Sequence, residues 1–143
     1  MYTNKEQSEK LITAGIERDS CDMVVFAGRS KKEPYKSWKP EPKPADMGKE
    51  KEWMPVWSDD ALLDMLPSII RDPENDTQYK LNVTKSAIPG LGVFKNVSYN
   101  NMTTGKPWRA FMNKYLTQAL CNAVIEILCG SYEIGNFSWN ENE

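Results

Sequence analysis

The stretch QYKLNVTK, residues 78–85, alternates between polar and apolar side chains. Its tyrosine, leucine and valine fall on one face of an extended chain, because successive side chains of a strand point to opposite faces. This pattern predicts a half-buried β-strand. The run IPGLG at residues 88–92 supplies turn chemistry, and residues 93–99 can return as a second strand. The sequence therefore predicts an antiparallel meander.

Residues 107–113 allow two interpretations. Trp108, Ala110 and Met112 alternate as they would in a third strand, whereas Pro107 is equally suited to the first position of a helix. We favour the strand.

The strongest helical pattern lies at residues 115–129. Its apolar side chains recur at the three- and four-residue spacing of one helical face. They are Leu116, Leu120, Ala123, Val124, Ile127 and Leu128. Gly130 follows them and is suited to the left-handed conformation that ends many helices. We expect this helix to pack across one face of the sheet.

Two shorter helices are predicted before the meander. Thr3 and Glu6 have the spacing of a capping box, which starts a helix that ends near Gly15. Ser58 has a suitable side chain for the N-cap of a second helix. Because Pro67 removes a backbone donor, we expect this second helix to end near residue 66.

The segment between these helices changes character along its length. The run MVVF at residues 23–26 fits either a short strand or an anchored extended segment. Residues 29–52 contain eight basic residues, five acidic residues and four prolines, with almost no aliphatic side chain to bury. This composition predicts a flexible loop.

Together these elements predict an α+β fold. It has a small antiparallel sheet of two or three strands, a C-terminal helix packed on one face, and short helices N-terminal to the sheet. A chain of 143 residues is close to the commonest domain size. We expect a single domain over residues 1–143, with a flexible charged and proline-rich loop at 29–52 and a polar C-terminal tail at 136–143.

The composition narrows the possible chemistry. The chain contains no histidine, which removes Ser-His-Asp and Cys-His catalytic arrangements and histidine-bound zinc. Its three cysteines, at positions 21, 121 and 129, are too few for a cysteine-only zinc site and are interpreted as reduced thiols. We expect no catalytic residue, no metal, no cofactor and no enzymatic activity.

The sequence contains no apolar run of membrane-spanning length and no visible secretory signal. We therefore expect a cytoplasmic protein that does not bind membranes. The formal net charge of −2 predicts neither nucleic-acid nor membrane binding.

Two motifs resemble those of a group of small uncharacterised proteins that is common in bacteroidete bacteria and their prophages. The first is an "EQ..KL...GI" segment at residues 6–16, followed by Cys21-Asp22-Met23. The second is a "PxWS...LL..LP" motif at residues 55–67, with Tyr79 and Leu81 and a closing helix after it. The resemblance implies an accessory protein of a mobile element, with no known activity.

One stretch of the predicted loop has the composition of a binding site. Lysines alternate with aromatic residues there, so that cations could follow a phosphate backbone while bases stack on the rings. The candidate contact residues are Lys32, Tyr35, Lys36, Trp38 and Lys39. A solvated loop and a proline-rich docking segment are the alternative interpretations.

The sequence favours a non-catalytic interaction or accessory protein. Its expected partner is an unknown protein or a second copy of the chain, because tryptophan is enriched at interfaces and the chain has five. The alternative function is binding of single-stranded nucleic acid through residues 31–39.

Overall fold

The computed structural model describes residues 1–48, 52–72, 76–128 and 138–140. The chain divides into two compact units, Met1–Ala61 and Leu62–Glu143. The helices within the described residues are α1 (Lys5–Ala14), α2 (Asp59–Met65) and α3 (Leu116–Leu128). The strands are β1 (Met23–Phe26), β2 (Glu41–Pro42), β3 (Trp53–Val56), β4 (Ile69–Arg71), β5 (Gln78–Ile88), β6 (Gly92–Asn101), β7 (Pro107–Asn113) and β8 (Ser138–Asn140). The α+β class is confirmed, and the single domain over 1–143 stays a prediction.

Helix α1 is capped one residue later than the sequence predicts. The Asn4 side chain accepts a hydrogen bond from the Gln7 backbone N–H at 2.8 Å, and the Gln7 side chain accepts from the Asn4 N–H at 2.9 Å. The capping box is therefore Asn4–Gln7, and the predicted box of Thr3 and Glu6 is wrong. The end of the helix is as predicted, since Gly15 has a φ of 104° and donates its N–H to the last turn.

Thr3 is fully buried, and its backbone and hydroxyl tie together several elements of the first unit. Its Oγ1 lies 2.8 Å from Ser8 Oγ and accepts a hydrogen bond of 3.0 Å from the Trp57 backbone N–H. The Trp57 carbonyl accepts in turn from the Thr3 N–H at 2.8 Å. The Trp57 indole N–H donates to Ser20 Oγ at 3.0 Å. These partners explain why Thr3 does not serve as a cap.

The first unit contains an antiparallel sheet in the order β2-β1-β3. Residues 23–26, for which the sequence left two interpretations open, form its central strand. The sequence does not predict β2 or β3, because each contains a proline and proline cannot donate to a sheet ladder. Pro42 and Pro55 are tolerated because both strands lie at edges of the sheet. Although β2 lies within residues 29–52, the flexibility of that segment stays a prediction.

Helix α2 begins and ends where the sequence predicts. Ser58 Oγ accepts a hydrogen bond from the Ala61 N–H at 3.1 Å, so Ser58 is the N-cap. The Asp22 carboxylate holds this cap in place by accepting from the Ser58 N–H at 2.9 Å and from its hydroxyl. The helix ends at Met65, two residues before Pro67.

The second unit contains an antiparallel sheet in the order β7-β6-β5-β4-β8. The meander β5-β6-β7 is confirmed, including the strand interpretation of residues 107–113. The sequence does not predict β4 or β8. Strand β8 lies in the predicted polar tail and pairs through its backbone with β4, which is only three residues long. The prediction of one sheet with two or three strands is therefore matched only in part, since the described residues form two sheets, one of three strands and one of five.

Helix α3 packs against β6 and β7, as predicted. Leu120, Val124 and Ile127 on the helix and Val97 and Tyr99 on β6 are buried. The Tyr99 hydroxyl donates a hydrogen bond of 2.6 Å to the carbonyl oxygen of Pro67. The predicted C-terminal end of this helix, at positions 129 and 130, lies outside the described residues.

Among the described residues, no helix has both the length and the apolar character needed to cross a membrane.

Candidate functional site

The residues of the predicted binding loop differ in how far they reach solvent. Lys32, Lys36 and Lys39 are exposed, whereas Tyr35 and Trp38 are partly buried. Burial, followed by the negative charge of Glu52, raises the pKa of the Tyr35 hydroxyl. The loop thus presents its cations to solvent more fully than its aromatic rings.

Trp38 is anchored to the first unit. Its indole N–H donates a hydrogen bond of 3.0 Å to the backbone carbonyl of Thr3, which is itself buried. A ring held in this way is not free to reorient toward a base. The structure therefore supports the cationic part of the predicted site better than the stacking part, and the binding role of the loop stays a prediction.

Two of the predicted lysines line a pocket of about 400 Å³ in the first unit. Lys36 and Lys39 lie there together with Arg29, while Glu33 and Glu41 contribute negative charge. The Lys36 ammonium also lies 3.9 Å from the Glu33 carboxylate. Lys32, Tyr35 and Trp38 do not line this pocket. The acidic groups offset much of the positive charge that lines the pocket.

A second candidate surface lies on the second sheet. Helix α3 packs against β6 and β7, and Val97 and Tyr99 on β6 are buried. The side chains of the alternate positions point to the other face, because side chains alternate along a strand. We call this surface the polar face. It consists of Lys80, Asn82, Thr84, Ser86, Phe94, Asn96, Ser98, Asn100, Ala110 and Met112.

The strand register brings the polar face together. Residues that pair directly across neighbouring strands share a face. Asn82 pairs with Ser98, which in turn pairs with Ala110, while Thr84 pairs with Asn96. Most of the side chains on β5 and β7 that belong to this face are exposed. On β6, between them, Ser98 is buried and Phe94, Asn96 and Asn100 are partly buried. The polar face therefore spans three strands and is most exposed on the two outer ones.

The charge of the polar face has one sign. None of its ten residues is acidic, and Lys80 is exposed at one end. At the other end the Lys114 ammonium lies 5.9 Å from the centroid of the Phe94 ring, within cation–π range. The surface thus combines two cations with an aromatic ring and a row of amides and hydroxyls.

Two amides of the polar face have unmatched acceptors. The Oδ1 atoms of Asn96 and Asn100 are buried and have no hydrogen-bond partner. An enclosed acceptor without a donor costs about 1–3 kcal/mol, so such atoms are uncommon and call for an explanation. A ligand that carries N–H donors would satisfy them, after a small rotation of either amide.

The sequence contains part of the signal for this surface. The alternation of residues 78–85 places Lys80, Asn82 and Thr84 together on one side of a strand. Their assembly with the asparagines of β6 depends on the strand register, which the sequence does not specify.

No protein-family model, curated protein or solved structure matches the chain.

Proposed function

We propose that the protein is a non-catalytic accessory protein that acts by binding another macromolecule. The observation that carries this proposal is the polar face, whose side chains on β5 and β7 are exposed among the described residues of the second unit, while α3 packs against β6 and β7. We propose, from the two motifs at residues 6–16 and 55–67, that it belongs to a mobile element such as a prophage.

A solvated polar face is common in antiparallel sheets and does not by itself require a ligand. Three features distinguish this one. It has unmatched acceptors on Asn96 and Asn100, a half-buried ring at Phe94, and no acidic side chain among its residues. A face that only met water would carry charges of both signs and fully hydrated polar groups. These features favour a binding surface.

The test is capture of partners by the tagged full-length protein from a lysate of its host, with one half of each sample treated with nuclease. The variant Lys80→Glu reverses a charge on the polar face. The matched control, Lys85→Glu, makes the same change at an exposed position of the same strand that points to the opposite face.

We expect the wild type and Lys85→Glu to retain the same partner and Lys80→Glu to lose most of it. A partner that resists nuclease would be a protein, and one that disappears would be a nucleic acid. Equal recovery by all three proteins, or recovery no better than that of the tag alone, would contradict binding at this face.

The second candidate function is binding of single-stranded nucleic acid through the loop at residues 31–39. It is favoured by the convergence of Arg29, Lys36 and Lys39 at one pocket. If the loop carries the activity, Lys36→Glu will weaken the affinity for an oligonucleotide and Lys80→Glu will not. Both substitutions change the net charge by the same amount, which removes bulk electrostatics from the comparison.

A further inference from the structure

We infer that the polar face binds single-stranded nucleic acid. This inference rests on the proposed function, since it names the class of partner for the same surface. It assigns a site that is separate from the loop at residues 31–39, and each element of the site is a described residue of β5, β6 or β7, together with Lys114.

Lys80 on the polar face and Lys114 next to Phe94 lie at the two ends of the proposed site. Lys80 pairs with Asn100 across the sheet, and Lys114 lies at the Phe94 ring six residues earlier on β6. At a rise of about 3.3 Å per residue, this separation is roughly 20 Å. Two ammonium groups this far apart suit phosphates that are a few nucleotides apart along one strand, and the lack of acidic side chains between them avoids repulsion.

The side chains between these two lysines are suited to contact bases. Phe94 offers a ring face for stacking, a contact that every base can make. Asn96 and Asn100 offer amides to base edges, which present both donors and acceptors when the strand is unpaired. Once either buried amide rotates, its unmatched Oδ1 would accept a hydrogen bond from a ring or amino N–H group of a base. The face therefore supplies partners for both the phosphates and the bases of a strand.

The geometry favours a single strand over a duplex. The major groove of B-DNA is about 12 Å wide and admits a ribbon of two strands. On the polar face β7 pairs with β6 from Lys95 to Asn100, so the surface is three strands wide where its amides lie. Because strands are about 4.8 Å apart, this width together with side chains exceeds the groove. A single strand can instead lie along the face.

The charge argues against a protein partner as the favoured occupant. A protein surface that matched the polar face would need acidic groups, and it would gain little apolar area beyond Phe94 and Met112. Nucleic acid supplies negative charge and apolar ring faces together, which matches what this surface offers.

The experiment measures fluorescence anisotropy of a labelled mixed-sequence 20-nucleotide DNA, the corresponding RNA, the 20-base-pair duplex and poly-glutamate with the full-length protein. We expect the single strands to bind most tightly, with an affinity that falls as salt rises. Lys80→Glu is expected to weaken binding about tenfold and Lys85→Glu less than twofold. Phe94→Ala is expected to weaken binding about fivefold or more, because a base loses its stacking contact.

Folding of each variant is verified by circular dichroism and by its unfolding midpoint. Because Phe94 is half-buried, its substitution can perturb the sheet. Lys80 is exposed, so its substitution tests binding without that effect. Tighter binding of the duplex or of poly-glutamate, or equal losses in Lys80→Glu and Lys85→Glu, would overturn the inference. Loss of binding in Lys36→Glu alone would move the site to the loop.

The two proposals fail in different ways. If no oligonucleotide binds, yet a nuclease-resistant partner is lost with Lys80→Glu, the single-strand inference is wrong and the proposed binding function stands. If neither an oligonucleotide nor a captured partner depends on Lys80, both are wrong.

Discussion

Some side chains of this protein make long-range hydrogen bonds that their local sequence does not indicate. Thr3 has the residue type and spacing of a helix cap, yet its hydroxyl is shared between Ser8 and the backbone of Trp57. Several polar side chains near the start of a helix can serve as its N-cap, and Asn4 is as suitable as Thr3. A threonine that can bond across the fold leaves the cap to the asparagine that follows it.

Tyr99 gives a prediction at the scale of one hydroxyl. The Tyr99 hydroxyl donates a hydrogen bond of 2.6 Å to the Pro67 carbonyl oxygen, within the buried part of the second unit. Tyr99→Phe removes the donor and leaves the acceptor unmatched, so we expect the free energy of unfolding to fall by about 1–3 kcal/mol. Urea unfolding at neutral pH measures the change, and Tyr115→Phe, at a position 67% exposed, is the control. An effect no larger than that of the control would show that the hydrogen bond adds nothing.

The same residue gives a dependence on pH. Burial raises the pKa of the Tyr99 hydroxyl above its ordinary value. The hydroxyl titrates near pH 10 in an unfolded chain, so above about pH 10 the unfolded state loses its proton first and stability falls as pH rises. Below about pH 10 the hydroxyl is protonated in both states, and Tyr99 makes its full contribution to the free energy of unfolding. We expect unfolding of Tyr99→Phe to depend less on pH above about 10 than that of the wild type.

This comparison cancels other groups that titrate in the same range. Burial also raises the pKa values of Cys21 and Tyr35, and both are present in wild type and variant alike. Parallel curves for the two proteins would mean that Tyr99 does not contribute to the alkaline loss of stability.

At the scale of elements, helix ends are set by short-range chemistry and are open to direct test. Asn4→Ala removes the oxygen that accepts from the Gln7 N–H, and we expect it to lower the free energy of unfolding by about 1 kcal/mol. Gln7→Ala, which removes the reciprocal hydrogen bond, is expected to cost less than Asn4→Ala.

Glu6→Ala separates the two capping boxes. Glu6 makes only an exposed ion pair of 3.6 Å with Lys10, and such pairs contribute little. Denaturant unfolding of Asn4→Ala, Gln7→Ala and Glu6→Ala measures the order of the effects. A larger loss in Glu6→Ala than in Gln7→Ala would favour the capping box predicted from the sequence over the box formed by Asn4 and Gln7.

Some strands of this protein are predictable from their own sequence, whereas others form only because they pair with a neighbouring strand. The meander is predicted because β5 alternates and a glycine-containing turn follows it. Strands β3 and β4 carry no such signal, since Pro55 interrupts the first and the second is only three residues long. Each is stabilised by hydrogen bonds to a neighbouring strand, and the sequence of one segment does not indicate which strand that is.

At the scale of the whole molecule, the sequence predicts one domain while contacts divide the chain into two compact units. Leu11 in the first unit and Leu120 in the second are both buried, and truncation of either to alanine is expected to cost about 2–5 kcal/mol. If the chain is one cooperative domain, each substitution will lower hydrogen-exchange protection in both sheets. Protection of the second sheet that does not change in Leu11→Ala would contradict the single-domain prediction.

The proposed binding function also depends on this scale. The candidate residues of the loop are adjacent in sequence, which is why composition identifies them. The polar face combines residues from three strands, and its most informative members, Asn96 and Asn100, resemble ordinary polar strand residues until their surroundings are known. Their unmatched acceptors are a property of packing.

The sequence alone determines the α+β class, the meander, the C-terminal helix, the end of α1 at Gly15 and the limits of α2. Each of these depends on a periodicity or on a residue whose backbone preference is local, such as glycine after a helix or proline beyond it. Only the tertiary structure decided the edge strands, the placement of Thr3 and the assembly of the polar face. Those depend on hydrogen bonds between distant segments, whose free energy is gained only when the segments meet.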